Sequence, residues 1–355
     1  MLINQLTFTR FVAAIVIVFF HFAVNNQVYP FYISEWQWLA DIIKVGNLPV
    51  LYFFILSGFI LTINYPNRAR SNKPGDFYWK RFSRIYPIYF ISFILSVLFV
   101  KNISLLDYIL NITLLNGWYW PSNMLNPAAW SLSAEVFFYI LFPFVLLKYF
   151  TLTGKQLIGL WGLHILILYL MQYKYGDFYL PHYLPTPIET MLNFSLGIVG
   201  GRLFVIYNEY FKKKNIWFST LILPAIIVQC SLIIYFKYTW FDGFWIFSSL
   251  FLLMILSLSS FSQTWLLTRL LTNPVLLKLG EISYSIFILQ FPIMYIYNFS
   301  LAKVHIGLRT TTHFYSYLIL LISASYLTYT FIEDPVRRKM YKYRSKSNKP
   351  QVVNV

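Results

Sequence analysis

The sequence predicts an all-α, polytopic membrane protein whose helices, about ten in number, cross the bilayer as one bundle. Three observations support this prediction. Hydrophobic residues make up 58% of the 355 residues and charged residues only 11%, unlike a soluble domain. Apolar runs of about 20 residues, the length of a spanning helix, recur throughout the chain. The basic residues are also unevenly distributed between the connecting segments.

Ten apolar stretches are long enough to be predicted spans. They are residues 6–24, 46–64, 84–101, 130–150, 157–172, 187–206, 217–236, 243–260, 281–298 and 313–332. The apolar segment 103–116 is shorter and carries Asp107, so we expect it to lie in the interface or to dip into the bundle without crossing. The first stretch is followed by polar residues and lacks a small-x-small cleavage site, which predicts a retained helix and not a removed signal peptide.

The distribution of Lys and Arg predicts the orientation. If the N-terminus is cytoplasmic, 22 basic residues lie in or beside the inner segments and six lie in the outer ones. This positive-inside bias places both termini in the cytoplasm. It also accounts for the net charge of +16 without a nucleic-acid partner. We expect one transmembrane domain over residues 1–336, a basic cytoplasmic tail over 337–355 that touches anionic headgroups, and no fused soluble catalytic module.

The sequence gives no sign of a metal site or of a permanently bound cofactor. The single cysteine, Cys230, excludes an internal disulfide and a cysteine-based metal cluster. His182, His305 and His313 fall in or beside outer loops without metal-ligand spacing. No nucleophile elbow, phosphate loop or dinucleotide fingerprint is present.

Several polar or small residues inside the spans are expected to serve packing. His164 is isolated in the middle of its span, which predicts a core histidine with satisfied hydrogen bonds. Small residues let helices approach closely, and the spans contain five of interest: Ser57, Gly58, Gly197, Gly200 and Gly201.

Arg10 and His21 form the most informative pair in the sequence. They lie eleven residues apart in one apolar stretch, so they share a helix face and are ~16 Å apart along its axis. Ionisable groups inside a membrane helix are costly and are read as functional by default. The imidazole is a candidate general base. The alternative is a histidine that only hydrogen-bonds a neighbouring helix.

Glu135 is the third candidate. It lies near the predicted start of the fourth span, which enters from the outer side, at a depth similar to that of His21. Two titratable groups at one level predict a pair in which the carboxylate orients the imidazole. The alternative is a carboxylate stabilised by the positive end of the helix dipole.

Arg81 and Arg84 stand at the cytoplasmic start of the third span. Being three residues apart, they share a helix face and could bind a phosphate through bidentate hydrogen bonds. Positive-inside anchoring is the alternative explanation for basic residues at this position.

Six segments of the chain together resemble the acyltransferase 3 family of bacterial membrane O-acyltransferases. LTFTRFVAAIVIVFFHF carries Arg10, ten residues and His21, and KRFSRIYPIYF carries Arg81 and Arg84 as an Arg-x-x-Arg motif. AAWSLSAEVFFYILFP resembles the family's WSL-x-x-E segment and includes Glu135. VLYFFILSGFILT, GEISYSIFILQFPI and FIEDPVRRK resemble three further elements of the family. Gln290 is a departure, because many members have a histidine there, so we expect it to hydrogen-bond and not to transfer protons.

The resemblance implies an enzyme of the bacterial cytoplasmic membrane that uses acyl-CoA, most simply acetyl-CoA, as its donor. The implied acceptor is a hydroxyl of an exopolysaccharide, lipopolysaccharide or other surface glycan, and glycan-assembly proteins are potential partners. Arg10, Arg81 and Arg84 would bind the donor's phosphates and the pantetheine arm would follow the first span. His21, polarised by Glu135, would deprotonate the acceptor.

Two other functions fit the same sequence. The first is a transporter that exports a glycan or passes acyl groups across the membrane. Transporters tend to show paired broken helices in two related halves, and no internal symmetry is visible here. The second is a structural subunit of a glycan synthase, in which the polar residues inside the membrane would be dispensable.

Overall fold

A computed structural model describes most of the chain. The described residues are 3–26, 28–31, 35–65, 74–119, 122, 125–175, 185–213, 228, 231, 244–261, 266–304 and 311–347. Cys230, His182, His305 and all but two residues of the predicted span 217–236 lie outside this set.

Within the described residues the regular structure is entirely helical, so the predicted fold class is confirmed. The helices are α1 (Gln5–Asn26), α2 (Gln37–Lys44), α3 (Pro49–Asn64), α4 (Pro74–Val97), α5 (Leu105–Ile112), α6 (Trp130–Phe150), α7 (Gly154–Tyr175), α8 (Thr186–Ile206), α9 (Asn208–Lys213), α10 (Phe244–Ser260), α11 (Leu266–Leu271), α12 (Pro274–Lys303), α13 (Thr311–Thr328) and α14 (Asp334–Ser347). A π-helical segment, Tyr329–Glu333, joins α13 to α14.

The predicted count of ten spans is not confirmed. Six helical stretches in the described part are long and apolar enough to cross a membrane, or seven if α2 and α3, which meet at 48°, form one span. The count is lower than predicted partly because α4 and α10 do not qualify as spanning helices. Every 18-residue window of α4 holds at least three charged side chains, and α10 has only 17 residues. The architecture is that of a multi-pass α-helical membrane protein.

The short apolar segment after α4 does not span the membrane, as predicted. Its helix α5 has eight residues and is therefore only ~12 Å long. Ser104 and Asp107 form a capping box at its start, and the Ser122 hydroxyl donates to Asp107 Oδ1 at 2.6 Å. Hydrogen bonds from the side chains of Ser104 and Ser122 hold the pKa of Asp107 below its ordinary value.

Helices α3 and α8 approach each other closely because glycines face each other across their contact. A Cβ on Gly58 would lie 2.2 Å from the carbonyl oxygen of Phe194, and one on Gly197 would lie 2.0 Å from that of Ile55. These distances leave no room for a side chain, so the predicted packing role of the two glycines is confirmed.

We expect Gly197→Ala to destabilise the bundle by ~1–3 kcal/mol, because the added methyl group must push two backbones apart. The measurement is the thermal unfolding midpoint of the purified protein in detergent. The matched control is Gly159→Ala in α7, since a Cβ there meets no atom within 4 Å. Equal midpoints for the two variants would show that this close approach is not needed.

Helices α1 and α12 lie side by side and run in the same direction. Their contacts follow the same order along both helices. Near its start α12 places Gly280 against the backbone of Thr7, and near its end the Asn298 amide donates to Asn26 Oδ1 at 3.0 Å. This pairing brings His21 and Asn26 of α1 next to Gln290 and Asn298 of α12.

Part of the predicted basic tail is packed against the bundle. Residues 337–347 belong to α14, which contacts α4. The Trp79 indole donates to the carbonyl oxygen of Met340 at 3.0 Å, and the Tyr341 hydroxyl donates to that of Lys80 at 3.4 Å. The division of the chain at residue 337 stays a prediction.

Candidate functional site

A cavity of about 250 Å³ lies between α1, α3, α4, α6 and α12. Arg10, Arg81, Arg84 and Glu135 are among the residues that line it. The structure therefore brings together four of the five predicted site residues, which come from three different helices. His21 is not among the residues that line this cavity.

The cavity carries a surplus of positive charge. It is lined by three arginines and one glutamate, and within the described part of the chain no ion pair joins any of these arginines to a carboxylate. The guanidinium carbon of Arg81 lies 5.8 Å from the ring centre of Phe77 and 5.7 Å from that of Tyr139, while its buried Nε has no hydrogen-bond partner. Charges within a bundle normally pair, so this arrangement favours an anionic ligand.

Glu135 interacts with groups inside the cavity and not with His21. Its Oε1 accepts hydrogen bonds from the hydroxyl of Tyr139, one turn further along α6, and from Ser57 Oγ at 3.2 Å. No hydrogen bond or ion pair joins Glu135 to His21, so the predicted carboxylate–imidazole pair is not formed in this structure.

The depth of Glu135 explains this difference. Ser57, which faces Glu135, is the ninth residue of α3 and so lies ~12 Å along the axis from the start of that helix. Tyr52, which precedes Ser57 on α3, forms a hydrogen bond with Thr9, the residue before Arg10 on α1. Glu135 therefore lies at the level of the arginines. Counting from the start of its own helix placed it too close to the outer surface.

His21 lies outside the cavity, close to the end that Phe287 lines. Its Nδ1 is 2.9 Å from Oε1 of Gln290, and its ring centre is 4.8 Å from that of Phe291. Phe287 lines the cavity, and Gln290 follows it by three residues, a rise of ~4.5 Å. One turn of α12 thus connects the cavity wall to the partner of His21. The continuous helix α1 keeps His21 ~16 Å from Arg10.

Ser57 and Tyr139, which line the cavity, and the buried carboxylate Glu333 are not among the predicted site residues. The predicted role of Ser57 is packing. For Tyr139 the sequence does hold a signal, because its spacing of four from Glu135 places both side chains on one helix face. Glu333 is buried in the π-helical segment, where it accepts a hydrogen bond from Ser285 Oγ at 2.6 Å and interacts electrostatically with Arg84 and Arg10. Its segment, FIEDP, belongs to one of the family-like motifs, for which the sequence predicts no role.

His164 is a core histidine, as predicted. Its Nδ1 lies 2.7 Å from the carbonyl oxygen of Leu160 and its Nε2 lies 2.8 Å from Ser195 Oγ. Both ring nitrogens are therefore satisfied within the bundle.

The fold and the site define a class: a multi-pass α-helical membrane protein with a cationic cavity next to a membrane-embedded histidine. The model of the acyltransferase 3 family, described as an acyltransferase domain, matches residues 3–330. The chain belongs to this family.

Several curated proteins are similar to the chain. "Putative O-acetyltransferase SACOL0978" of Staphylococcus aureus strain COL is 26% identical over 340 residues, covering 86% of this chain and 54% of the relative. O-acetyltransferase OatA of S. aureus strain NCTC 8325 is 27% identical over 350 residues, with the same coverage. Acyltransferase MdmB of Streptomyces mycarofaciens is 28% identical over 138 residues, covering 33% of this chain and 35% of the relative. The chain spans about half the length of the Staphylococcus relatives. No solved structure matches the chain.

Proposed function

We propose that this protein is a membrane O-acyltransferase. It would move an acyl group, most simply acetyl, from cytoplasmic acyl-CoA to a hydroxyl of an exopolysaccharide or other cell-surface glycan. The observation that carries the proposal is the convergence of Arg10, Arg81 and Arg84 in one cavity. The partner of His21 lies one helical turn from the wall of this cavity. The names of the relatives, O-acetyltransferase and acyltransferase, support the same reaction class.

The arginines would bind the phosphate groups of the donor. Phosphate is well matched to guanidinium groups, which form short, charge-assisted hydrogen bonds with it. A cavity of about 250 Å³ is below the ~300–1,000 Å³ of typical ligand sites. It would therefore hold only part of acyl-CoA, with the nucleotide remaining at the cytoplasmic side beside the exposed Asn4. Both termini would lie on that side, as the positive-inside bias predicts.

The thioester would then react next to His21. The imidazole accepts the proton of the acceptor hydroxyl, and the oxygen attacks the thioester carbonyl carbon. The carbon–sulfur bond breaks, the new ester forms, and the coenzyme leaves as a thiol after taking the proton from the imidazolium. The Arg10–His21 separation is comparable to the length of a pantetheine arm, so one donor could reach both residues.

The direct test is mass spectrometry of surface glycans from cells with and without the gene, together with transfer of labelled acetyl from acetyl-CoA by the protein in vesicles. We expect acyl esters on the glycan only when the gene is present, and transfer only when acetyl-CoA is on the side of the termini. Unchanged acylation together with less polymer at the surface would point to an exporter instead.

We expect Glu135→Gln to lower the transfer rate about tenfold or more while the amount of protein in the membrane stays nearly the same. The neutral amide weakens the hydrogen bonds from Ser57 and Tyr139, each worth ~1.5–3 kcal/mol to a charged acceptor, and so displaces the cavity wall. The assay is labelled-acetyl transfer normalised to protein level, with Glu209→Gln on the exposed surface of α9 as the control. Loss of the protein from the membrane would support a purely structural Glu135.

A further inference from the structure

The hydrogen bonds of the Gln290 side chain determine which nitrogen of His21 is basic. Its amide nitrogen donates to the carbonyl oxygen of Phe287 at 2.7 Å. A backbone carbonyl can only accept, so this contact fixes the amide orientation and leaves Oε1 facing His21. Oε1 also only accepts, so His21 Nδ1, at 2.9 Å, must carry the hydrogen. The neutral imidazole then has its free lone pair on Nε2.

The backbone that carries Gln290 is held from two neighbouring sides. Pro292 has no N–H, so the carbonyl oxygen of Ile288 loses its usual helical partner. Ser92 Oγ and the Asn126 amide donate to it instead, at 3.0 and 2.9 Å. The Tyr317 hydroxyl donates to the carbonyl oxygen of Gln290 itself at 2.8 Å. Supporting contacts of this kind keep a functional side chain in one geometry.

We infer that Gln290 is the positioning residue of His21: it fixes the Nδ1–H tautomer and directs Nε2 toward the reacting hydroxyl. The inference rests on the proposed function for the catalytic part, whereas the tautomer itself is a property of the resting protein. A carboxylate serves as the orienting group in the serine hydrolase triad, and here a neutral amide would do the same without adding charge inside the membrane.

The first test is the tautomer, which is read without any acyl transfer. The probe is the protein labelled with ¹⁵N in its histidines, in nanodiscs, and the spectrum of a His21→Gln sample assigns the His21 signals. We expect the Nδ1–H form in the wild type and a mixture of tautomers in Gln290→Met, which keeps the side-chain length but whose thioether is only a weak acceptor. An Nε2–H tautomer in the wild type would overturn the inference, whether or not the protein transfers acyl groups.

The second test is the pH dependence of acetyl transfer. Gln290→Met should lower the rate about ten- to a hundredfold. Gln290→Glu places a carboxylate next to the imidazole, which should move the acidic limb of the profile to higher pH by about one unit or more. A wild type that transfers no acetyl at any pH would refute the proposed function and leave the tautomer result standing. If the wild type is active and the acidic limb of the Gln290→Glu pH profile does not move, the positioning role is refuted.

A matched control separates positioning from packing. Gln5 is also a buried glutamine whose amide donates to a backbone carbonyl, that of Leu258 at 3.0 Å, but it has no histidine partner. Gln5→Met should change the unfolding midpoint without moving the pH profile or the His21 signals. A shift of the pH profile in this variant equal to that in Gln290→Glu would contradict the assignment.

Discussion

Replacing His21 by alanine is expected to reduce acyl transfer by a factor of about 10²–10⁴, the usual contribution of a general base. Without the imidazole, the acceptor hydroxyl has no group to take its proton beside the thioester. The measurement is transfer of labelled acetyl to the glycan, normalised to protein in the membrane, combined with quantification of surface polymer. The enzyme interpretation requires loss of acyl esters while the polymer still reaches the surface.

His164→Ala is the matched control for this experiment. It also removes a histidine from a membrane helix, and both of its ring nitrogens are hydrogen-bonded in the bundle. We expect lower stability of this variant but normal transfer per folded molecule. Loss of surface polymer in His21→Ala would favour a transporter, and unchanged acylation in that variant would favour a structural subunit.

Replacing Arg84 by alanine is expected to weaken donor binding by about 1.5–3 kcal/mol, the value of a hydrogen bond to a charged group. That corresponds to a roughly ten- to hundredfold higher Kd for acyl-CoA. Arg81→Ala should act in the same direction, because both residues line the cavity and neither has a paired carboxylate in the described part of the chain. The measurement is equilibrium binding of a non-hydrolysable acyl-CoA analogue to the protein in nanodiscs.

The control for the arginines is Arg269→Ala. Arg269 is exposed on α11 and does not line the cavity, so its removal tests the loss of one positive charge alone. We expect the Kd of this variant for the acyl-CoA analogue to equal that of the wild type. If the cavity variants weakened donor and acceptor binding equally, a specific phosphate site would be excluded, since a general loss of structure affects both ligands.

Residue pairs within one helix could be predicted from the sequence, and pairs between helices could not. The 3.6-residue period places Arg10 and His21 on one face of α1 at a fixed separation, and it places Arg81 beside Arg84 on α4. The glycines of α3 and α8 were also recognisable, because only close helix contact explains small residues among bulky ones. The level of Glu135 could not be predicted, because it depends on where α6 begins relative to α1 and α3.

The sequence by itself determined the all-α membrane fold, since the length and composition of the apolar stretches are properties of the linear chain. Only the tertiary structure decided that Glu135 lies with the arginines and that Gln290, and not a carboxylate, contacts His21. The physical reason is that helix offsets and tilts are set by packing between side chains far apart in sequence. In α1 and α12 that packing joins residues 269 positions apart, at His21 and Gln290.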